Sequence, residues 1–288
     1  MKRPIVGLAL GGGGARGLAH VGVLKALEDA GIPVDVLAGT SMGGLIAAYY
    51  AAGRTPAEIE TEALHLGTLT HLLNLVDLGL PRRAFLSGDK IQAYLRETLG
   101  PELTFADLRR PLALTAVDLI TGQEVILREG SVAEAVRATI SLPGVLEPVE
   151  RQGQSLVDGG VLNNVPADLA RALGAEVVIA VNVSLNVHDD RQWQKVGLPA
   201  ILLDSWRADS ISAAALTEIR LARARPEVLL CPPVSSEVTT LTGFTRVPEI
   251  IAAGEAAVQA AWPQLQRLKW IRRESGDSRR IHLSAFTF

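Results

Sequence analysis

Twice within its first fifty residues the chain runs an apolar segment into a glycine-rich corner and out into a helix, which dictates a parallel sheet. Ile5 to Leu10 is a short apolar run closed by Gly11-Gly12-Gly13-Gly14, as a strand buried on both faces is. Arg16 to Ala30 then carries Leu18, Val21, Leu24 and Leu27 at helical spacing, with Gly31 as its C′ residue. Pro33 precedes a second apolar strand, Val34 to Ala38, and Gly39-Thr40-Ser41-Met42-Gly43 turns into a helix starting near Met42. Strand, glycine loop, helix, strand, tight turn, helix is a βαβα unit: consecutive parallel strands covered by helices. The fold class expected is α/β.

Further along, Thr55-Pro56-Ala57-Glu58 is a capping box with proline at the first helical position. Residues 67–87 have weak periodicity and several turn residues and read as a cover over a site, followed by a helix from Gly88 to Leu99. Leu112 to Val117 and Glu124 to Leu127 read as strands joined across Thr121-Gly122, and Ser131-Val132-Ala133-Glu134 opens a helix that Pro143 ends. Gly153 separates two strands that lead into Val157-Asp158-Gly159-Gly160; Val165 to Leu173 reads as a helix, and Glu176 to Val183 and Glu227 to Leu230 as strands. With no internal repeat and no low-complexity linker, a single domain over 1–288 is expected.

Composition removes several classes of function. A lone Cys231 forms no intramolecular disulfide and no cysteine-based zinc site. A net charge of −3 gives no global attraction to nucleic acid, and 4% aromatics leave little for stacking on bases. Val36 to Gly53 holds 18 residues without a charge, long enough for a membrane span. The turn composition at 39–44 divides it into a strand end and a buried helix instead. Lys2 and Arg3 before an apolar run imitate an export signal, but that run dissolves into glycines and Arg16. The expected location is cytoplasmic.

Three glycine corners hold the chemistry. At Gly11 to Gly17 the backbone turns sharply and presents N–H groups at a helix N-terminus, a nest for a bound anion or for an oxyanion formed during reaction. Gly12, Gly14 and Gly17 also satisfy G-x-G-x-x-G, yet the second strand ends in Gly39-Thr40-Ser41 with no acidic residue, and Asp35 lies at its wrong end. No Gly-Lys-Ser/Thr follows, so a P-loop fails as well. The second corner, Gly39-Thr40-Ser41-Met42-Gly43, has the G-x-S-x-G form of a nucleophile elbow, in which small residues flank a serine on a strained strand-to-helix turn. The third, Asp158-Gly159-Gly160, ends an apolar strand; an aspartate desolvated there has a raised pKa and accepts a proton directly from serine. An Asp-Gly turn holding its own backbone is the alternative. Of the five histidines, His20 reads as a helix-face residue, His188 sits in a polar loop and His282 in a basic tail; neither they nor His65 and His71 occupy a turn or strand-end motif.

Together these corners resemble the patatin-like phospholipases, in particular bacterial members similar to the neuropathy-target-esterase catalytic domain. The resemblance lies in Gly-Gly-Gly-Gly-Ala-Arg-Gly at 11–17, Gly-Thr-Ser-Met-Gly at 39–43, Asp-Gly-Gly at 158–160 continued by Asn163-Asn164-Val165-Pro166, and Arg137 to Pro143. It covers about residues 5–183, leaving a C-terminal strand and helices over 184–288. It implies a three-layer α/β/α fold with a mainly parallel sheet and a Ser-Asp dyad, with no metal and no cofactor. By the same resemblance Ser41 is the nucleophile, Asp158 the general base, and Gly12, Gly13 and Gly14 the oxyanion hole. Arg16 matches the family's basic position and orients the loop, while Gly17, Gly39, Gly43, Gly159 and Gly160 support the turns. Asp-Gly-Gly stands where many relatives have Asp-Gly-Ala.

The activity implied is hydrolysis of carboxylic esters of phospholipids, lysophospholipids or acylglycerols. A lipid acyltransferase on the same dyad, and a nucleotide-binding regulator using only the glycine loop, are the alternatives; a Ser41-Asp158-His282 triad is the rival catalytic set. The stretch from Arg267 to Arg280, with six basic and two acidic residues and Trp270, has two readings. It is a transient contact with a membrane surface, peripheral to its inner face, or the solvated face of a helix packed on the domain.

Overall fold

The computed structural model describes residues 3–68, 83–189 and 200–268, with residues 70, 74, 75 and 193. Its centre is a sheet of eight strands: β1 (Val6–Leu10), β2 (Val36–Gly39), β3 (Leu112–Asp118), β4 (Gln123–Leu127), β5 (Val149–Arg151), β6 (Gln154–Asp158), β7 (Val177–Val181) and β8 (Val228–Leu230). Hydrogen bonding orders them β5-β6-β3-β2-β1-β7-β8, with β4 also on β3. Strands β3, β2, β1, β7 and β8 are parallel, and β4, β5 and β6 are antiparallel additions. The chain proceeds from β1 to β2 and β3 on one side and resumes at β7 and β8 on the other. The direction of winding therefore reverses between β1 and β7, where the carboxyl ends of the strands open a crevice.

The helices are α1 (Ala19–Asp29), α2 (Met42–Ala51), α3 (Pro56–Leu66), α4 (Asp89–Leu99), α5 (Val132–Thr139), α6 (Ala167–Ala172), α7 (Ala200–Ala224) and α8 (Val247–Leu265). Alternation along the strands assigns them to two layers. Leu8, Leu10, Leu37, Leu112 and Leu114 face a thick core shared with α1, α2, α3, α5 and α8. Their neighbours Ala9, Ala38, Ala113 and Ala180 face α6 and, through Leu221 and Ala224, the end of α7. Large side chains on one face and alanines on the other make an α/β/α sandwich with one deep core and one close-packed layer.

Both capping expectations hold in part or whole. Thr55 and Glu58 cap α3 reciprocally, and the Ser131 side chain accepts the Glu134 N–H at 3.4 Å. The helix read from Arg16 begins as a 3-10 turn over Gly14–Leu18 and becomes α-helical only at Ala19, because Arg16 N–H bonds Gly13 in a three-residue turn. The longest helix, α7, has no distinct expectation of its own. Charges at Asp204, Arg207, Asp209, Glu218 and Arg220 interrupt its apolar pattern. The 67–87 segment is only partly within the described residues, and the basic stretch from Lys269 onward, with Trp270, His282 and both readings given for it, lies outside them, as does His71. Among the described residues no helix is long and apolar enough to cross a membrane.

One feature of the sheet brings two corners together. Leu114 pairs with Gly39 of β2 and with Leu127 of β4; Ala116 pairs with Val125 of β4 and with Asp158 of β6. Since β4 occupies one edge of β3 throughout, β2 and β6 share the other. They meet head to head on it, Gly39 and Asp158 two β3 residues apart.

Candidate active site

Ser41 sits between β2 and α2 with φ +54° and ψ −129°. A side chain other than glycine in that region costs about 1–3 kcal/mol and persists only where its surroundings impose it. The surroundings here are close backbones. A Cβ on Gly39 would lie 2.6 Å from the Gly44 Cα, and one on Gly43 would overlap the Leu10 carbonyl. The Ser41 N–H donates to Thr139 Oγ1 at 2.9 Å, and its carbonyl accepts the Leu45 N–H in the first turn of α2. The hydroxyl therefore stands at the positive end of a helix.

Asp158 is buried, and its N–H is held by the Ser141 carbonyl at 2.9 Å. Burial pushes its carboxyl up to about 6, against the opposing pull of hydrogen bonds from the Ser41 side chain and the Gly160 N–H. The Gly160 bond, 2.8 Å to Oδ1, is the Asx turn expected of an Asp-Gly dipeptide. Here it coexists with the pull of the Ser41 side chain on the same carboxyl. Behind it, Arg137 donates to Ser141 Oγ (2.6 Å) and to the carbonyls of Ser87 and Glu147 (2.7 and 3.0 Å). That buried guanidinium steadies the segment that carries the Asp158 backbone bond.

The glycine loop rises from β1 at the point where winding reverses. Gly11 N–H donates to Val181 of β7 and Gly12 N–H to the Asn164 carbonyl, both at 3.0 Å. The expectation that Gly12, Gly13 and Gly14 all offer donors is thus corrected at Gly12, whose N–H is consumed in anchoring the loop. Among the described residues the N–H groups of Gly13 and Gly14 meet no backbone acceptor. Gly14 has φ +56°, and a Cβ there would overlap Thr240. Gly12 approaches Ser41 so closely that a Cβ would lie 3.1 Å from the serine Cβ.

Arg16 is buried beneath this loop. Nε donates to the Val183 carbonyl at 2.8 Å, and Nη1 reaches the carbonyls of Val238, Ser235 and Val234 at 3.0, 3.3 and 3.4 Å. Burial lowers its pKa to about 10. Its contacts are all carbonyls behind the loop. His20 is also buried, with Nε2 2.7 Å from the Gly11 carbonyl. Desolvation lowers it to about 4 despite that bond, so the ring is neutral at pH 7 and Nε2 must donate. His65 and His188 are exposed. Among the described residues the Asp158 carboxyl accepts from the Gly160 N–H, and the Ser41 side chain pulls its pKa down against burial.

Sequence reasoning missed the threonines. Thr40 Oγ1 bonds Thr115 Oγ1 and the Asn163 carbonyl, each at 2.8 Å, and Thr139 holds the Ser41 amide. Thr40 lies in the Gly39–Gly43 corner and Thr139 in the 137–143 segment, but nothing in their spacing gives their hydrogen-bonding partners. Asp35, the acidic group tested for a nucleotide ribose, instead accepts from Val6 N–H at 2.8 Å and pairs with Arg3 at 2.6 Å, at the end of the sheet away from the loop. Among the described residues no group of three or more His, Cys, Asp or Glu is placed to hold a metal ion.

A family model for patatin-like phospholipases matches residues 8–171, more than half of the chain. The chain belongs to that family. Within it, human patatin-like phospholipase domain-containing protein 6 is 38% identical over 182 residues, covering 62% of this chain and 13% of the human protein. Neuropathy target esterase sws of Drosophila melanogaster is 37% identical over the same share of each. An NTE family protein of Mycobacterium tuberculosis is 38% identical over 63% of this chain and 49% of its own length. The match thus spans about an eighth of the animal relatives and half of the mycobacterial one. The patatin-like fold extends to distant structures: VipD from Legionella pneumophila (TM-score 0.53, 14% identity, 93% of this chain and 67% of that one) and human group IVD cytosolic phospholipase A2 (0.50, 13%, 94% and 59%).

Proposed function

We propose that this patatin-like protein is a serine lipid acyl hydrolase in which Ser41 is the nucleophile and Asp158 its general base. The observation that carries the reading is the contact between a serine on a strained turn and a buried carboxyl whose pKa is raised to about 6. Such a carboxylate is ionised at neutral pH yet far more basic than an exposed aspartate, which is what proton abstraction from a hydroxyl asks of it.

In the first step Ser41 Oγ attacks the ester carbonyl carbon as its proton passes to Asp158. The carbonyl oxygen becomes an oxyanion, held by the N–H groups of Gly13 and Gly14 and favoured by the positive ends of the following helical turns. Collapse breaks the bond to the alkoxy oxygen, which takes the proton from Asp158 and leaves as the alcohol. Water then gives a proton to Asp158 and attacks the acyl-serine; a second collapse returns the proton to Ser41 Oγ and releases the fatty acid. One lost oxyanion donor removes about 3–4 kcal/mol of transition-state stabilisation. The substrate class, a carboxylic ester of a phospholipid, lysophospholipid or acylglycerol, is supported by family membership and by relatives named as phospholipases and esterases.

The test is labelling with a fluorophosphonate alongside hydrolysis of a short-chain ester and of phospholipid vesicles. Wild type should be labelled and active, and folded Ser41→Ala neither. Labelling at another residue, or turnover by Ser41→Ala comparable to wild type, refutes the assignment.

A further inference from the structure

The dipeptide Asn163-Asn164 touches all three corners. The Asn163 carbonyl accepts from Thr40 Oγ1 beside the nucleophile (2.8 Å), and the Asn163 N–H donates to the Gly159 carbonyl beside the base (2.8 Å). The Asn164 carbonyl accepts the Gly12 N–H at 3.0 Å, and its side-chain Nδ2 donates to the Gly12 carbonyl at 3.2 Å and to Ser184 Oγ at 2.9 Å. The amide orientation is forced, because a carbonyl such as that of Gly12 only accepts, and the Ser184 hydroxyl proton is committed to Asn182 Oδ1 at 2.7 Å. Beneath, Asn163 Nδ2 donates to Glu124 (2.8 Å) and Asp168 (3.0 Å), and Arg220 pairs with both carboxylates (2.7 and 2.6 Å). The dipeptide is thus fixed from below and clamps the loop from above.

We propose that Asn164 is a positioning residue that sets the direction of the Gly13 N–H, and so builds the oxyanion hole rather than merely bordering it. The inference rests on the hydrolase reading above. Gly12 and Gly13 lack side chains, so the peptide between them has little steric preference and can turn over. Every peptide bond is trans among the described residues, and in a trans peptide C=O and N–H point opposite ways. Holding the Gly12 carbonyl toward Asn164 therefore turns the Gly13 N–H to the far side of the loop, where no described residue accepts from it. The amide has room only because glycines face it: a Cβ on Gly12 would lie 2.5 Å from Asn164 Oδ1, and one on Gly160 2.7 Å.

The experiment compares the full chain with Asn164→Ala and Asn164→Asp, the latter keeping the shape but presenting an acceptor to the Gly12 carbonyl. On a soluble short-chain ester both should lose about 10²-fold or more in kcat with KM within about twofold, since a misdirected donor is felt only when the oxyanion forms. Affinity for a trifluoromethyl ketone, whose hemiketal with serine carries that oxyanion, should fall in parallel. Hydrogen exchange over residues 11–14 should quicken in both variants, and it is read without substrate. Retention of kcat within about threefold with unchanged ketone affinity overturns the proposal, as does unchanged exchange over 11–14. If Asn164→Ala does not fold, the isosteric Asn164→Asp carries the same readouts. Should the wild type neither hydrolyse ester nor take up a fluorophosphonate at Ser41, the hydrolase reading fails by itself; exchange in the variants still decides whether this amide directs the loop.

Discussion

Ser41 and Asp158 meet because the strands that carry them end head to head on one edge of β3, Gly39 opposite Leu114 and Asp158 opposite Ala116. Ser41 follows a parallel strand and Asp158 ends an antiparallel one, so neither needs a long loop to reach the other. A pair placed by sheet register is positioned by the ladder itself and not by a loop.

The backbone of Ser41 stores strain that glycine would not feel. Ser41→Ala and Ser41→Gly should both be inactive, but Ser41→Gly should be the more stable of the two by about 1 kcal/mol, given φ +54°. In urea unfolding the glycine variant should show the higher midpoint at equal slope; the reverse order argues against strain at the elbow.

Activity should require ionised Asp158. With its carboxyl raised to about 6 by burial, kcat/KM on a soluble ester should rise tenfold per unit at low pH and level off above about pH 7. A profile that is flat from pH 5 to 8 contradicts the base assignment.

The same shift has a stability consequence of opposite sense. An aspartate in the unfolded chain titrates near 3.9, so the folded protein binds this proton more tightly. The resulting stabilisation is complete below about pH 4 and is lost as pH rises through about 6. At pH 8 wild type carries a penalty on the order of 3 kcal/mol that asparagine lacks. Asp158→Asn should therefore unfold several degrees higher than wild type at pH 8, with the difference closing at pH 4. Thermal melts at the two pH values are sufficient; equal differences at both rule the explanation out.

His20 should matter as a donor and not as a base. Glutamine can place an N–H near the position of Nε2, so His20→Gln should keep most of the activity, while His20→Ala, which orphans the Gly11 carbonyl bonded at 2.7 Å, should lose stability by about 1–3 kcal/mol. Alanine at exposed His65 or His188 should leave turnover within about twofold. A histidine whose loss matches that of Asp158→Asn means a triad is at work.

Arg16 should not tolerate lysine. Its guanidinium spans carbonyls from Val183 to Val238, a fork that a single ammonium does not reproduce. Arg16→Lys and Arg16→Ala should both lower the melting temperature and the activity together, and full rescue by lysine speaks for a simple charge requirement.

Much of this protein is legible locally. Apolar runs broken by glycine corners determine a parallel α/β sheet, because buried strands, C′ glycines and capping boxes act through the nearest few residues. The spacing Gly39, Ser41, Gly43 specifies an elbow for the same reason: the clashes that exclude larger residues arise within the turn and against the adjoining end of β1. Other features depend on partners more than a hundred residues away and leave no periodic trace. The Gly12 N–H and carbonyl are both bonded to Asn164, 152 positions away, and the Arg16 guanidinium to carbonyls at 183, 234, 235 and 238. The basicity of Asp158 was likewise settled by tertiary packing, since burial is a property of the assembled layers. Composition and spacing name the groups able to react; hydrogen bonds and desolvation, set by long-range contacts, decide which are occupied, which are free, and at what pH they act.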